Sequence, residues 1–160
     1  PVLQFRLGCL LAGRQVDDGS PETILTLQHP DAFLQCDVFA VQGGEEGWTA
    51  DGAAESLDVD SIVADRAADF PGFRITRQGT VMFQSGPALL YEGESDNSPM
   101  GLPISLVHAE AVEGGRTYAV ECLVDSSIMA DARVMIDVIV ANFSTRSDGQ
   151  CCVDPTDPRG

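Results

Sequence analysis

The sequence predicts an α+β domain with a central, mainly antiparallel sheet and helices on its faces. Three observations carry this: hairpin-compatible pairs of alternating segments, two amphipathic stretches at helical spacing between and after them, and a length of 160 residues and 17.0 kDa that suits one hydrophobic core. The domain is expected over residues 1–145, with an irregular tail at 146–160.

"VLQFRL" near the N-terminus alternates as a strand does. After the polar "DDGSPE", the segments "TILTLQ" and "FLQCDVFAV" read as two further strands separated by "HPDA". A Gly-rich acidic loop, "QGGEEGWTADG", leads into "ESLDVDSIVADRAADF", where Val59, Ile62, Val63, Ala67 and Phe70 recur at helical spacing. Ser56 is the expected N-cap, Asp58 and Asp60 suit the positive end of the helix dipole, and Pro71-Gly72 ends the helix.

"FRITRQGTVMFQ" and "PALLYEG" form the next hairpin, with Ser85-Gly86 as the expected turn. Both faces of it are apolar: Val81, Phe83, Ala88 and Leu90 on one, Met82, Leu89 and Tyr91 on the other, so cover is expected on both sides. "LPISLVHAEAV" and "RTYAVECLV" follow, joined by Gly114-Gly115. If those glycines are the two turn residues, Ala111 faces Tyr118, Val107 faces Cys122 and His108 faces Glu121. The last element, "SSIMADARVMIDVIVANFS", is rich in β-branched residues, but its length and period decide for helix. Ile128, Ala132, Met135, Ile136, Ile139 and Phe143 line one face, and Ser126 or Ser127 can cap its start. Val134, Val138 and Ala141 form a second apolar line, to be covered by the N-terminal segment or by a partner.

Charge and cysteine usage narrow the function. The formal charge is -16, the basic residues are all Arg, and such a surface repels phosphate backbones, so nucleic acid is not expected as a partner. No stretch approaches the roughly 18 apolar residues of a membrane span. The chain begins at Pro1 without Met, which is compatible with a removed signal or lipid anchor. Five cysteines, Cys9, Cys36, Cys122, Cys151 and Cys152, include no CxxC pair and no zinc spacing; Cys36 and Cys122 lie in register with aliphatic neighbours and read as small buried hydrophobes.

Catalysis would need a nucleophile, a base and an orienting carboxylate. Only His29 and His108 could serve as a histidine base; His29 precedes Pro30 in a turn, and His108 would need Cys36, Ser105 or another nucleophile within reach. The acidic clusters "DDGSPE", "SDNSPMG" and "SDGQCCVDPTD" do not match an EF-hand loop and read as solvated loops, so no metal and no cofactor is expected. Trp48, the single tryptophan, stands in "GGEEGWTADG". It either lids the sheet or anchors a partner, with Glu45, Glu46 and Asp51 steering a basic protein toward it.

The order of elements looks like the PsbP-like fold. The residues that carry the resemblance are "FPGFR" at the helix exit, Gly86-Pro87-Ala88 before "LLYEG", "GGRTY", and "IDVIVANF" at the end, spanning about Thr23 to Ser144. That superfamily includes PsbP, Ran-binding relatives, bacterial lipoproteins of the LpqN and DcrB type, and type VI secretion adaptors. The resemblance implies a non-enzymatic accessory module of the bacterial cell envelope that holds a protein partner. A small hydrolase using His108, or a carrier of a small apolar ligand, are the alternatives, and a homo-oligomer is compatible with the sequence.

Overall fold

The computed structural model describes residues 22–146. The expected strand "VLQFRL", almost all of the tail, and Cys9, Cys151 and Cys152 lie outside them. Six strands form one sheet: β1 Glu22–Gln28, β2 Leu34–Gln42, β3 Arg74–Phe83, β4 Gly86–Ser95, β5 Ile104–Glu113 and β6 Arg116–Asp125. Their spatial order is β1-β2-β6-β5-β4-β3, and every pairing between them is antiparallel. Between β2 and β3 lie α1, Ala50–Glu55, and α2, Val59–Ala67; after β6 a 3-10 turn, Ser126–Ile128, leads into α3, Met129–Asn142.

The sheet is covered on both faces, and the period-2 alternation of its strands sorts residues between two cores. One face carries Cys36, Val38, Phe83, Leu90, Val107, Val120 and Cys122 against Ala132, Ile136 and Val140 of α3. The other carries Tyr91, Ile104 and Leu106 against Phe70 and Phe73, with Leu57, Ile62 and Val63 packed on them. Central strand β4 is therefore buried on both sides, as the two apolar faces of its hairpin require. Met82, near the β3 turn, is the exception and stays exposed.

The β5–β6 register is the one the glycine turn demands: Ala111 faces Tyr118, His108 faces Glu121 and Val107 faces Cys122. Gly114 and Gly115 both have positive φ, 59° and 75°, which a two-residue type I′ turn requires of both central residues. The other hairpin differs from expectation by one residue. Phe83 pairs with Gly86, so Gln84-Ser85 form the turn and Gly86 opens β4. Ser85 is held there because its hydroxyl accepts from the Thr145 N–H and hydroxyl at 3.2 and 3.1 Å, while the Gln84 N–H donates to the Phe143 carbonyl.

The expected single helix beginning at Ser56 is two helices. Thr49 caps α1, its hydroxyl accepting from the Gly52 N–H, so the end of the supposed loop is already helical. Ser56 sits at the C-cap of α1 and donates to the Gly52 carbonyl at 2.7 Å. Asp58 caps α2 instead, accepting from the Ser61 N–H at 3.0 Å. A carboxylate at the cap also favours the positive helix end, and the break turns Leu57 toward the smaller core. At α3 neither Ser126 nor Ser127 caps with its side chain: Asp125 accepts from the Ser127 N–H at 2.8 Å, and the Ser126 hydroxyl pairs with that of Ser105 at 2.9 Å.

Cys36 and Cys122 are buried as expected but are not free thiols. They form a disulfide across β2 and β6, where they are direct register partners with Cα atoms 4.0 Å apart. Because β2 lies beside β6 although 86 residues separate the two cysteines, this bond closes a long chain loop through the middle of the sheet.

Candidate functional site

Directly opposed residues build a polar row across the sheet face covered by α2: Thr26, Asp37, Glu121, His108 and Tyr91, one from each of five adjacent strands. Thr26 donates to Asp37. Arg66 descends onto this row from α2. Its Nη1 donates to Glu121 Oε1 at 3.0 Å, and its Nη2 donates both to Glu121 Oε2 and, at 2.7 Å, to the Tyr91 hydroxyl. His108 Nδ1 lies 2.8 Å from Glu121 Oε2 and its Nε2 lies 3.3 Å from Glu110 Oε2. The imidazole also stacks on the Tyr91 ring, with centroids 4.6 Å apart.

This geometry shifts the titration of the groups in the row. Burial alone would push His108 down, but its bonds to Glu110 and Glu121 outweigh it and raise its pKa above the ordinary 6.5. Burial would push Glu121 up, but His108 and Arg66 hold it below 4.5. Burial raises Tyr91 to about 12 despite the Arg66 beside it. The buried His108 ring and the partly exposed Arg66 guanidinium thus share the Glu121 carboxylate. A second such group lies under α3, where Arg133 grips Glu92 with two bonds of 2.9 and 2.7 Å and Arg77 adds a third at 3.1 Å.

Neither arrangement places a nucleophile beside a base. Cys36 is consumed by the disulfide, and Ser105 lies on the α3 side of the sheet, paired with Ser126. Both ring nitrogens of His108 are engaged by carboxylates. His29 accepts from the Asp31 N–H at 3.2 Å in the β1–β2 turn. Among the described residues, no group of three or more His, Cys, Asp or Glu side chains is disposed to hold a metal ion, and no helix is long and apolar enough to cross a membrane.

An accessible concave surface lies at the Trp48 loop. A cleft of about 470 Å³ is walled by Glu45, Glu46 and Trp48, bounded by Asp58 at the α2 cap, and reaches Leu89 and Glu110 of the sheet. Trp48 is half-buried: it packs on the larger core cluster and also lines the cleft. Asp51 stands in the first turn of α1 and is not among the lining residues. Glu110, Asp58 and Leu89 are additions the sequence reading missed. The hairpin register held the clue to Glu110, because a residue two positions from His108 shares its face. Nothing local points to Arg66, 55 residues from its partner Glu121.

Val134 and Val138 on α3 are exposed, as is Ala141; the N-terminal segment that the sequence offered as their cover lies outside the described residues. By contrast, the space beneath α3 beside Cys36, lined by Leu27, Met135 and Ile139, is a notch of about 10 Å³, no larger than one water needs.

No protein-family model matches the chain, and no curated protein is detectably similar to it. Its fold is similar to that in the crystal structure of PA94, a Pseudomonas aeruginosa protein of unknown function, with a TM-score of 0.50 over 82% of this chain and 86% of that one. The sequences are 10% identical, so the likeness bears on the fold alone.

Proposed function

We propose that this protein is a non-catalytic binding module that acts through a protein partner at the bacterial cell envelope, with the Trp48 cleft as its contact. The observation that supports the reading is a contrast in how polar groups are used. His108, Arg66, Glu121, Cys36 and Ser105 are bound to one another or to near neighbours inside the fold, whereas Trp48, Glu45 and Glu46 line an open cleft. Saturated buried networks fix a fold; an aromatic wall rimmed by charge is the form of a recognition surface.

The extracytoplasmic location rests on the disulfide, since such bonds persist in oxidising compartments and are rare in cytosolic proteins. It rests also on the PsbP-like order of strands, helices, hairpins and final helix, which this reading keeps as its proposed kinship. An apolar-ligand carrier fits less well, because the cleft carries four carboxylates, Glu45, Glu46, Asp58 and Glu110.

Capture from an extract of the source organism tests the reading. A protein retained by the immobilised wild type should be lost from Trp48→Ala, while circular dichroism shows both folded. Equal retention by the two would refute it. Turnover of simple acyl esters by the wild type, abolished in His108→Gln, would overturn it in favour of a hydrolase.

A further inference from the structure

We infer that the Trp48 cleft is a receptor for the cationic side chain of an arginine or lysine presented by an extended segment of the partner, with Glu110 as its innermost ligand. This deepens the reading above and rests on it. Three features of the cleft converge on such a group.

The first is the pairing of wall and floor. Trp48 offers an aromatic face and Leu89 an apolar floor, the surfaces along which the alkyl stem of a long basic side chain lies. The charged end then meets carboxylates: Glu110 at the sheet, Asp58 at the α2 cap, and Glu45 and Glu46 on the loop. A cleft of about 470 Å³ has room for such a side chain and the flanking backbone, and among the described residues no basic one lines it to compensate the acidic ones.

The second is the state of Glu110. Its side chain is 29% exposed, so it is partly desolvated yet reachable. Among the described residues its Oε2 alone is engaged, by His108, which orients the carboxylate at the edge of the buried row. A carboxylate held in this way meets an incoming cation without first losing its own conformational freedom. An arginine matches its geometry with two donors, a lysine only as a point charge.

The third is what lies behind it. Arg66 belongs to Glu121 and Tyr91 and does not line the cleft, so the nearby guanidinium is already spent. His108 is held between Glu110 and Glu121. His108 therefore offsets part of the Glu110 charge, while Glu45, Glu46 and Asp58 have no basic partner among the described residues, and the cleft stays acidic.

Because Trp48 is the only tryptophan in the chain, its emission reports on the cleft directly. The probes are the capped tripeptides acetyl-Gly-Arg-Gly-amide and its norleucine counterpart, which keeps the stem without the charge, titrated into the full chain at physiological salt. The arginine peptide should give a saturable change and the norleucine peptide none. Glu110→Gln, which keeps an acceptor for His108, should weaken binding at least about tenfold, the effect of losing one hydrogen bond to a charged group. Asp51→Asn, in α1 but off the cleft, should leave it within about twofold. No saturable response to arginine, equal binding of norleucine, or equal weakening by Glu110→Gln and Asp51→Asn would overturn the inference. Failure here is separable from failure of the binding reading: if Trp48→Ala loses the captured protein and Glu110→Gln keeps it, the module stands and the cation receptor falls.

Discussion

Replacing Glu121 by Gln removes one charge at the centre of the polar row while keeping the side-chain shape. Glu121 accepts two hydrogen bonds from Arg66 and pairs with His108, with 13% of its side chain exposed against 24% for Arg66. The amide oxygen of Gln can still accept, but its NH₂ must face a donor. Removing one partner of a buried ion pair costs about 3–5 kcal/mol; the partial exposure of Arg66 and the remaining acceptor place this case near about 3 kcal/mol. The pH profile adds a second readout. Glu121 has a lowered folded pKa, so its contribution is present above the ordinary 4.5 and lost as pH falls through the folded value. His108 has a raised one, so its contribution is complete below the ordinary 6.5 and lost as pH rises through the folded value. Together they place the greatest contribution of the row between 4.5 and 6.5. Urea unfolding followed by far-UV circular dichroism across pH should therefore show wild-type stability falling on both sides of that window. Glu121→Gln should lose about 3 kcal/mol inside it and show a flatter profile. A loss under about 1 kcal/mol inside the window, or a profile parallel to wild type, would refute the view that one carboxylate holds both cations.

Two further predictions concern the frame. Reducing the Cys36–Cys122 bond, or replacing both residues by Ala, should cost about 4 kcal/mol in denaturant unfolding, since the bond constrains an 86-residue separation in the unfolded chain; peptide mapping under non-reducing conditions should recover the two cysteines linked, and free thiols at both would refute the pairing. Gly93→Ala should destabilise by about 1–3 kcal/mol, because a Cβ there would sit 2.1 Å from Phe73 Cζ and 2.8 Å from the Arg74 carbonyl oxygen, and the backbone of the neighbouring strand cannot retreat as a ring can; thermal unfolding at unchanged Tm would contradict it.

Local pattern determined most of the architecture. Alternation identified all six described strands, helical spacing placed α3, and Gly114-Gly115 fixed the β5–β6 register with its His108–Glu121 pair, because period and turn chemistry are properties of a few consecutive residues. The same locality explains the errors at boundaries. Asp58 and Ser56 compete for one cap within three residues, and Thr49 starts a helix that a Gly-rich stretch conceals.

Only the tertiary structure decided what the buried polar groups do. Strand order is a long-range choice, and placing β2 beside β6 turned two cysteines that matched a buried-aliphatic pattern into one disulfide. That order also aligned Asp37 with Glu121 and His108 in a single row. Arg66 becomes the counter-charge of the row only because α2 lies over the sheet. Trp48 was visible from the start, since a lone tryptophan among glycines and acids is a local signal. The cleft beside it was not, because its floor comes from Leu89 and Glu110, brought under the loop by β4 and β5. Spacing along a chain records which face a residue takes; the free energy of burying that face against distant segments selects its neighbours.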